Sequence, residues 1–249
     1  MWFAKTNSPS QEDTRKVKTQ TTRQTVEVRA DAEGIVSHAG VHLLAELGDR
    51  VGLTSGLSAA TAPTRERRSA HDPGVVLRDV IVAIADGGDC VTDLGVLRDQ
   101  EALFGPIASE RTAHRVIKSI DAGLLEAIRG ARALARARAW EGGARPETIT
   151  LGIDATLLGA ASEKEGAAGN YKGGFGFHPL LCYLDETGEP LAGLLRPGNA
   201  GANTAADHFE VLQLALEQLP EADLDREILV RTDIGGRTHA FTRDCRAAG

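Results

Sequence analysis

The chain has 249 residues, 42% of them hydrophobic and 25% charged, an ordinary globular balance with room for one large domain or two small ones and a sizeable core. Its longest apolar run, residues 80–85, falls far short of the roughly 20 residues of a membrane span, and the polar residues 1–25 lack the apolar stretch of a signal peptide, so a cytoplasmic protein with no membrane partner is expected. The net charge of -7 speaks against a nucleic-acid partner, but residues 1–150 hold 20 Lys+Arg and 20 Asp+Glu while residues 151–249 hold 8 and 15, so the excess lies wholly in the second part.

Residues 1–25 are rich in Thr, Gln, Ser and Lys without periodicity and read as a disordered tail. Residues 26–147 read as a mostly helical, DNA-binding region. Val36, Leu43, Leu44, Leu47 and Val51 recur at helical spacing over residues 35–60, with Ser37 as a candidate cap. A polar linker follows Pro63. Asp72 then stands at a cap position and Pro73 at the first helical position of a helix over residues 72–86, which Gly87-Gly88 ends. A short helix over residues 89–97 and a break at Phe104-Gly105-Pro106 precede a second helix over residues 110–120, capped by Ser109. Its apolar side carries Ala113, Val116, Ile117 and Ile120, and its other side Arg111, Thr112, His114, Arg115 and Lys118. That outline fits a helix-turn-helix, and it equally fits a plain bundle helix. A long Ala/Arg-rich helix follows, to residue 140. Over residues 111–145 eight basic residues face three acidic ones, which suits phosphates, or a solvated helix face.

The pattern changes at residue 148. Strands are expected over residues 148–158, 179–185, 190–196 and 227–232. A Gly- and charge-rich loop over residues 159–174 follows the first. A helix opened by Thr204, with Asp207 three residues on as a capping-box variant, precedes the fourth. A last helix begins near Thr238. Cys90, Cys182 and Cys245 are odd in number and lack metal-ligand spacing, so they read as buried or incidental thiols in a reducing compartment.

Two acids stand out. Asp154 lies inside the first strand among Leu151, Ile153, Leu157 and Leu158, and Asp233 ends the fourth after Ile228, Leu229 and Val230. A buried carboxylate needs compensation, and a divalent cation with hard oxygen ligands supplies it. The order strand, strand, strand, helix, strand, helix fits a ribonuclease-H-like α/β core, in which the first and fourth strands are neighbours and bring Asp154 and Asp233 together. Such a pair suits metal ions roughly 3.5–4 Å apart and in-line phosphoryl displacement. A turn or cap role is the plain alternative for Asp233; inside a strand it does not serve for Asp154.

Several longer stretches carry a resemblance. Ile153-Asp154-Ala155-Thr156, Ser162-Glu163-Lys164-Glu165-Gly166-Ala167-Ala168, Tyr171-Lys172-Gly173-Gly174-Phe175-Gly176-Phe177-His178-Pro179 and Leu195-Arg196-Pro197-Gly198-Asn199-Ala200-Gly201-Ala202-Asn203-Thr204-Ala205-Ala206-Asp207-His208 resemble DDE transposases of bacterial insertion sequences, in the IS-thirteen-eighty group. So do Leu229-Val230-Arg231-Thr232-Asp233, Ser37-His38-Ala39-Gly40 and His71-Asp72-Pro73-Gly74. The resemblance implies transposition with Mg²⁺ (or Mn²⁺) through an Asp-Asp-Glu triad. Asp154 matches the first catalytic and metal-binding position and Asp233 the second. The implied partners are the terminal inverted repeats, target DNA and further copies of the chain. The third acid, a Glu on a later helix in that family, has no counterpart. The chain ends sixteen residues after Asp233, so residues 148–249 are expected to form an incomplete, inactive core. Glu163, Glu165 and Asp244 do not follow the family order. Lys164, Lys172 and Arg196, in loops near strand ends, are candidate phosphate contacts beside Arg111, Arg115 and Lys118; solvated loop charge explains the first three equally well. His178, before Pro179, reads as a packing residue.

Overall fold

A computed structural model describes residues 3–6, 26–29, 38–65, 70–201, 204–233 and 236–247. The chain divides into two compact units, Met1–Ala135 and Arg136–Gly249.

In the first unit, β1 (Phe3–Thr6) pairs antiparallel with β2 (Val26–Arg29), so the stretch expected to be a tail contributes a strand; the rest of it lies outside the described residues. Ser37 also lies outside them. The single helix expected over residues 35–60 is two, α1 (Val41–Arg50) and α2 (Leu53–Thr61), separated at Gly52, whose φ of +76° suits glycine. The leucines of α1 do not face the core. His42, Ala45 and Gly48 are buried, while Leu43, Leu44 and Leu47 are exposed. Small residues on the inner side admit the buried Arg78, whose side chain lies 4.0 Å from where a Gly48 Cβ would stand and pairs with Asp79 and Asp49.

The helix α3 (Pro73–Ala85) begins as expected: Asp72 Oδ1 accepts from the amides of Gly74 (2.9 Å) and Val75 (3.2 Å). Short helices α4 (Leu94–Arg98) and α5 (Glu101–Phe104) follow, then α6 (Glu110–Lys118), capped by Ser109 through the Thr112 amide. Leu57, Val76, Leu94, Leu97, Phe104 and Val116 form the core of this unit. The division between the units falls inside α7 (Ala122–Ala139).

The second unit is built on a four-stranded mixed sheet. Its strands are β3 (Ile149–Ala155), β7 (Leu180–Leu184), β8 (Glu189–Leu194) and β9 (Ile228–Thr232), in the spatial order β8-β7-β3-β9. The hairpin neighbours pair antiparallel, and β3 pairs parallel with β9. Between β8 and β9 runs α8 (Ala205–Leu216), and α9 (His239–Ala247) follows β9. Ile149, Leu151 and Ile153 of β3, with Cys182 and Leu184 of β7, bury one sheet face against Val211, Leu212 and Ala215 of α8. The segment expected to be a loop between β3 and β7 contains three short strands: β4 (Leu158–Gly159), β5 (Ala168–Gly169) and β6 (Phe175–Phe177). They form a separate antiparallel sheet in the order β4-β6-β5. Among the described residues no helix is long and apolar enough to cross a membrane.

Candidate active site

The parallel register of β3 and β9 sets Ile149 opposite Ile228 and Ile153 opposite Thr232. One residue further stand Asp154, near the end of β3, and Asp233, directly after β9. Side chains alternate between the faces of a sheet. The odd-numbered residues of β3 are buried, so Thr150, Gly152 and Asp154 belong to the other face. Their partners in β9 are Leu229 and Arg231. Asp154 thus belongs to the face opposite α8, and Asp233 directly follows the end of the neighbouring parallel strand, the two strands lying about 4.8 Å apart.

Both acids are exposed. This corrects the expectation for Asp154: its charge is not buried among its apolar neighbours, because Leu151 and Ile153 turn to the opposite face and Leu158 lies exposed in β4. What recommends the pair is proximity. Two like charges on adjacent strands repel, and a cation between them relieves that repulsion. Asp154 Oδ1 accepts from the Ala155 amide at 2.8 Å. Asp233 Oδ1 accepts from the Gly236 amide at 3.1 Å, so this acid also bonds the backbone three residues on. Exposed hard oxygens at neighbouring positions suit Mg²⁺, which is usually held by one or two carboxylates and keeps waters or substrate phosphates as its other ligands. Among the described residues no cluster of three or more His, Cys, Asp or Glu side chains is placed to hold a metal ion.

The same face carries a residue that the sequence motifs did not single out. Arg231, 68% exposed, reaches Asp185 at 2.9 Å. Gly152 of β3, opposite Arg231 in the register, makes room: a Cβ there would come within 2.5 Å of Asp185 Oδ1. Strand alternation was the signal that could have found Arg231, since it stands two residues before Asp233.

The small sheet springs from the Asp154 end of β3, where the Thr156 amide donates to the Pro179 carbonyl at 3.1 Å. Lys164 and Lys172 lie exposed in its loops, and the Lys172 ammonium sits 5.7 Å from the centroid of the Tyr171 ring. Arg196 is different. It is buried, and it donates to the His178 carbonyl (3.0 Å), the Gly201 carbonyl (3.1 Å) and Asp207 (2.9 Å). The expected loop phosphate contact is therefore a clamp on the loop itself. It also takes Asp207 out of the expected capping box, and Thr204 makes no side-chain cap. His178 is buried, with Nδ1 donating to the Ala200 carbonyl at 3.1 Å, in keeping with a packing role.

In the first unit, Arg111, His114, Arg115 and Lys118 are exposed along α6, opposite the buried Ala113 and Val116. The wider basic stretch is not uniform. Within the second unit Arg136 is buried and holds both carboxylate oxygens of Glu189 and the Gln218 carbonyl, and Arg145 pairs with Asp223 at 3.5 Å. These two guanidinium groups serve internal ion pairs.

A family model described as transposase DDE domain group 1 matches residues 18–249. No curated protein and no solved structure gives a significant match.

Proposed function

This chain belongs to the transposase DDE domain family of group 1, and on that footing we propose that it serves DNA transposition of an insertion sequence of the IS-thirteen-eighty type, with Asp154 and Asp233 as two carboxylates of the metal site. The observation that supports this reading is the parallel pairing of β3 with β9, near whose neighbouring ends the two acids stand. The strand order and the position of α8 support a ribonuclease-H-like core. Mg²⁺, or Mn²⁺, held by Asp154 and Asp233 would supply the positive charge needed for phosphodiester hydrolysis and strand transfer. Gly236 orients one of those carboxylates through its amide. Arg231, Lys164 and Lys172 supply positive charge for DNA phosphates on the sheet face and in the loops of the small sheet. Arg196 is left out of the DNA contacts, because its guanidinium is committed inward.

The reading is that this chain binds metal through Asp154 and Asp233 and binds DNA. Mn²⁺ binding by the chain and by its Asp154→Asn and Asp233→Asn variants tests the site, with transposon-end binding measured in parallel. The expected result is weakened Mn²⁺ binding in each variant, and unchanged binding in both overturns the site.

The exposed cations of α6 favour a second reading, a non-catalytic DNA-binding protein that occupies the terminal repeats and inhibits a complete transposase. Repeat binding and inhibition that persist in the Asp154→Asn, Asp233→Asn double variant support it.

A further inference from the structure

His208 takes no part in the two-carboxylate site, yet it stands directly behind it. It is 2% exposed, on the buried side of the first turn of α8. Its Nδ1 lies 2.9 Å from the Thr204 carbonyl oxygen. A carbonyl only accepts, so Nδ1 carries a proton and donates. The opposite edge of the ring meets Gly236, three residues after Asp233. A Cβ on Gly236 would lie 2.9 Å from both Cδ2 and Nε2 of His208, and 2.7 Å from Cβ of Thr232. Only a bare glycine backbone passes between them. That same backbone supplies the amide bound to Asp233 Oδ1. On another side the ring meets Phe241 of α9, centroid to centroid 5.5 Å. The turn of α8 that carries His208 is itself anchored, since the neighbouring Asp207 is held by the buried Arg196.

We propose that His208 is a positioning residue for Asp233, an inference that rests on reading Asp233 as a metal ligand. The imidazole backs the Gly236 backbone, and the Gly236 amide fixes the direction in which the Asp233 carboxylate presents its other oxygen. The chain of support runs from the Thr204 carbonyl through His208 and Gly236 to the carboxylate. No charge on the ring is needed for it.

Mn²⁺ binding to the whole chain, followed by electron paramagnetic resonance of the free ion, tests this with thermal melts recorded in parallel. Asp233→Asn weakens binding if Asp233 is a ligand. His208→Ala is expected to weaken it about tenfold or more, the usual loss when a group supporting a ligand is removed. His208→Gln, which keeps a donor for the Thr204 carbonyl, recovers part of that loss, and Gly236→Ala reproduces it. The His208→Ala, Asp233→Asn double variant binds no worse than Asp233→Asn alone, because both changes act on one ligand. Wild-type affinity in His208→Ala beside a weakened Asp233→Asn overturns the positioning role and leaves the metal site standing. Losses that add in the double variant overturn it too. Unchanged affinity in Asp233→Asn overturns the metal site itself. Should His208→Ala fail to fold, His208→Gln and Gly236→Ala carry the comparison.

Discussion

Cys182 stands opposite Ile153 in the pairing of β7 with β3 and is fully buried. Burial, reinforced by the negative charge of Asp185, pushes its thiol up from an ordinary 9.0 to about 12. The unfolded chain gives up this proton first. The thiol's contribution to stability is therefore complete below about pH 9 and is lost as the pH rises toward 12. Denaturation midpoints measured from pH 8 upward should fall more steeply for the wild type than for Cys182→Ala; parallel curves would contradict the assignment. Iodoacetamide at pH 8 should label the exposed Cys90 and spare Cys182 until the chain unfolds. Residue type alone placed the cysteines correctly as free thiols, but not which of them is shielded. The arginines show the same limit. Arg136 and Arg196 read as basic residues available to phosphate, whereas each finds an internal acid, Glu189 lying 53 positions from Arg136. A partner that distant leaves no local mark.

Elements with local causes were legible. Asp72 and Ser109 cap α3 and α6 as their sequences suggest, because a cap bonds amides only two or three residues away. Asp72→Ala should cost about 1 kcal/mol, within the usual range for a missing cap, and lower the melting temperature; an unchanged melt would show that the Gly74 and Val75 amides find other acceptors. The leucines of α1 misled for a physical reason. Helical periodicity identifies a stripe, but whether that stripe faces inward depends on what packs beside it, and here small residues and the buried Arg78 take the inner side. The strands β4, β5 and β6 had no signal, being two or three residues long and too short to show an alternating pattern. Their pairing depends on chain segments that come together only in space.

For the whole molecule, a net charge of -7 does not exclude a DNA partner, because the cations are grouped. Arg111, Arg115 and Lys118 lie exposed along one side of α6. Removing one cation from a duplex phosphate should lower the slope of log affinity against log salt by about 0.9. Replacing all three with Gln should therefore flatten the slope by three such steps, about 2.7 in all, if each touches a phosphate. An unaltered slope would remove α6 from the DNA interface. Arg136→Gln should act on stability rather than on the slope, since its guanidinium is buried against Glu189.

By itself, the sequence determined the change from helices to strands near residue 148, the four strands of the main sheet, the Asp72 and Ser109 caps, and the two acids as a candidate pair. Each of these rests on near neighbours in the chain: period, cap spacing, or a carboxylate among strand formers. Only the tertiary structure decided that Asp154 and Asp233 are exposed near the ends of neighbouring parallel strands, that Arg231 stands opposite Gly152, that Arg196 and Arg136 turn inward, and that His208 packs against Gly236. Those outcomes depend on strand register and on packing between residues far apart in sequence, and a linear pattern records neither.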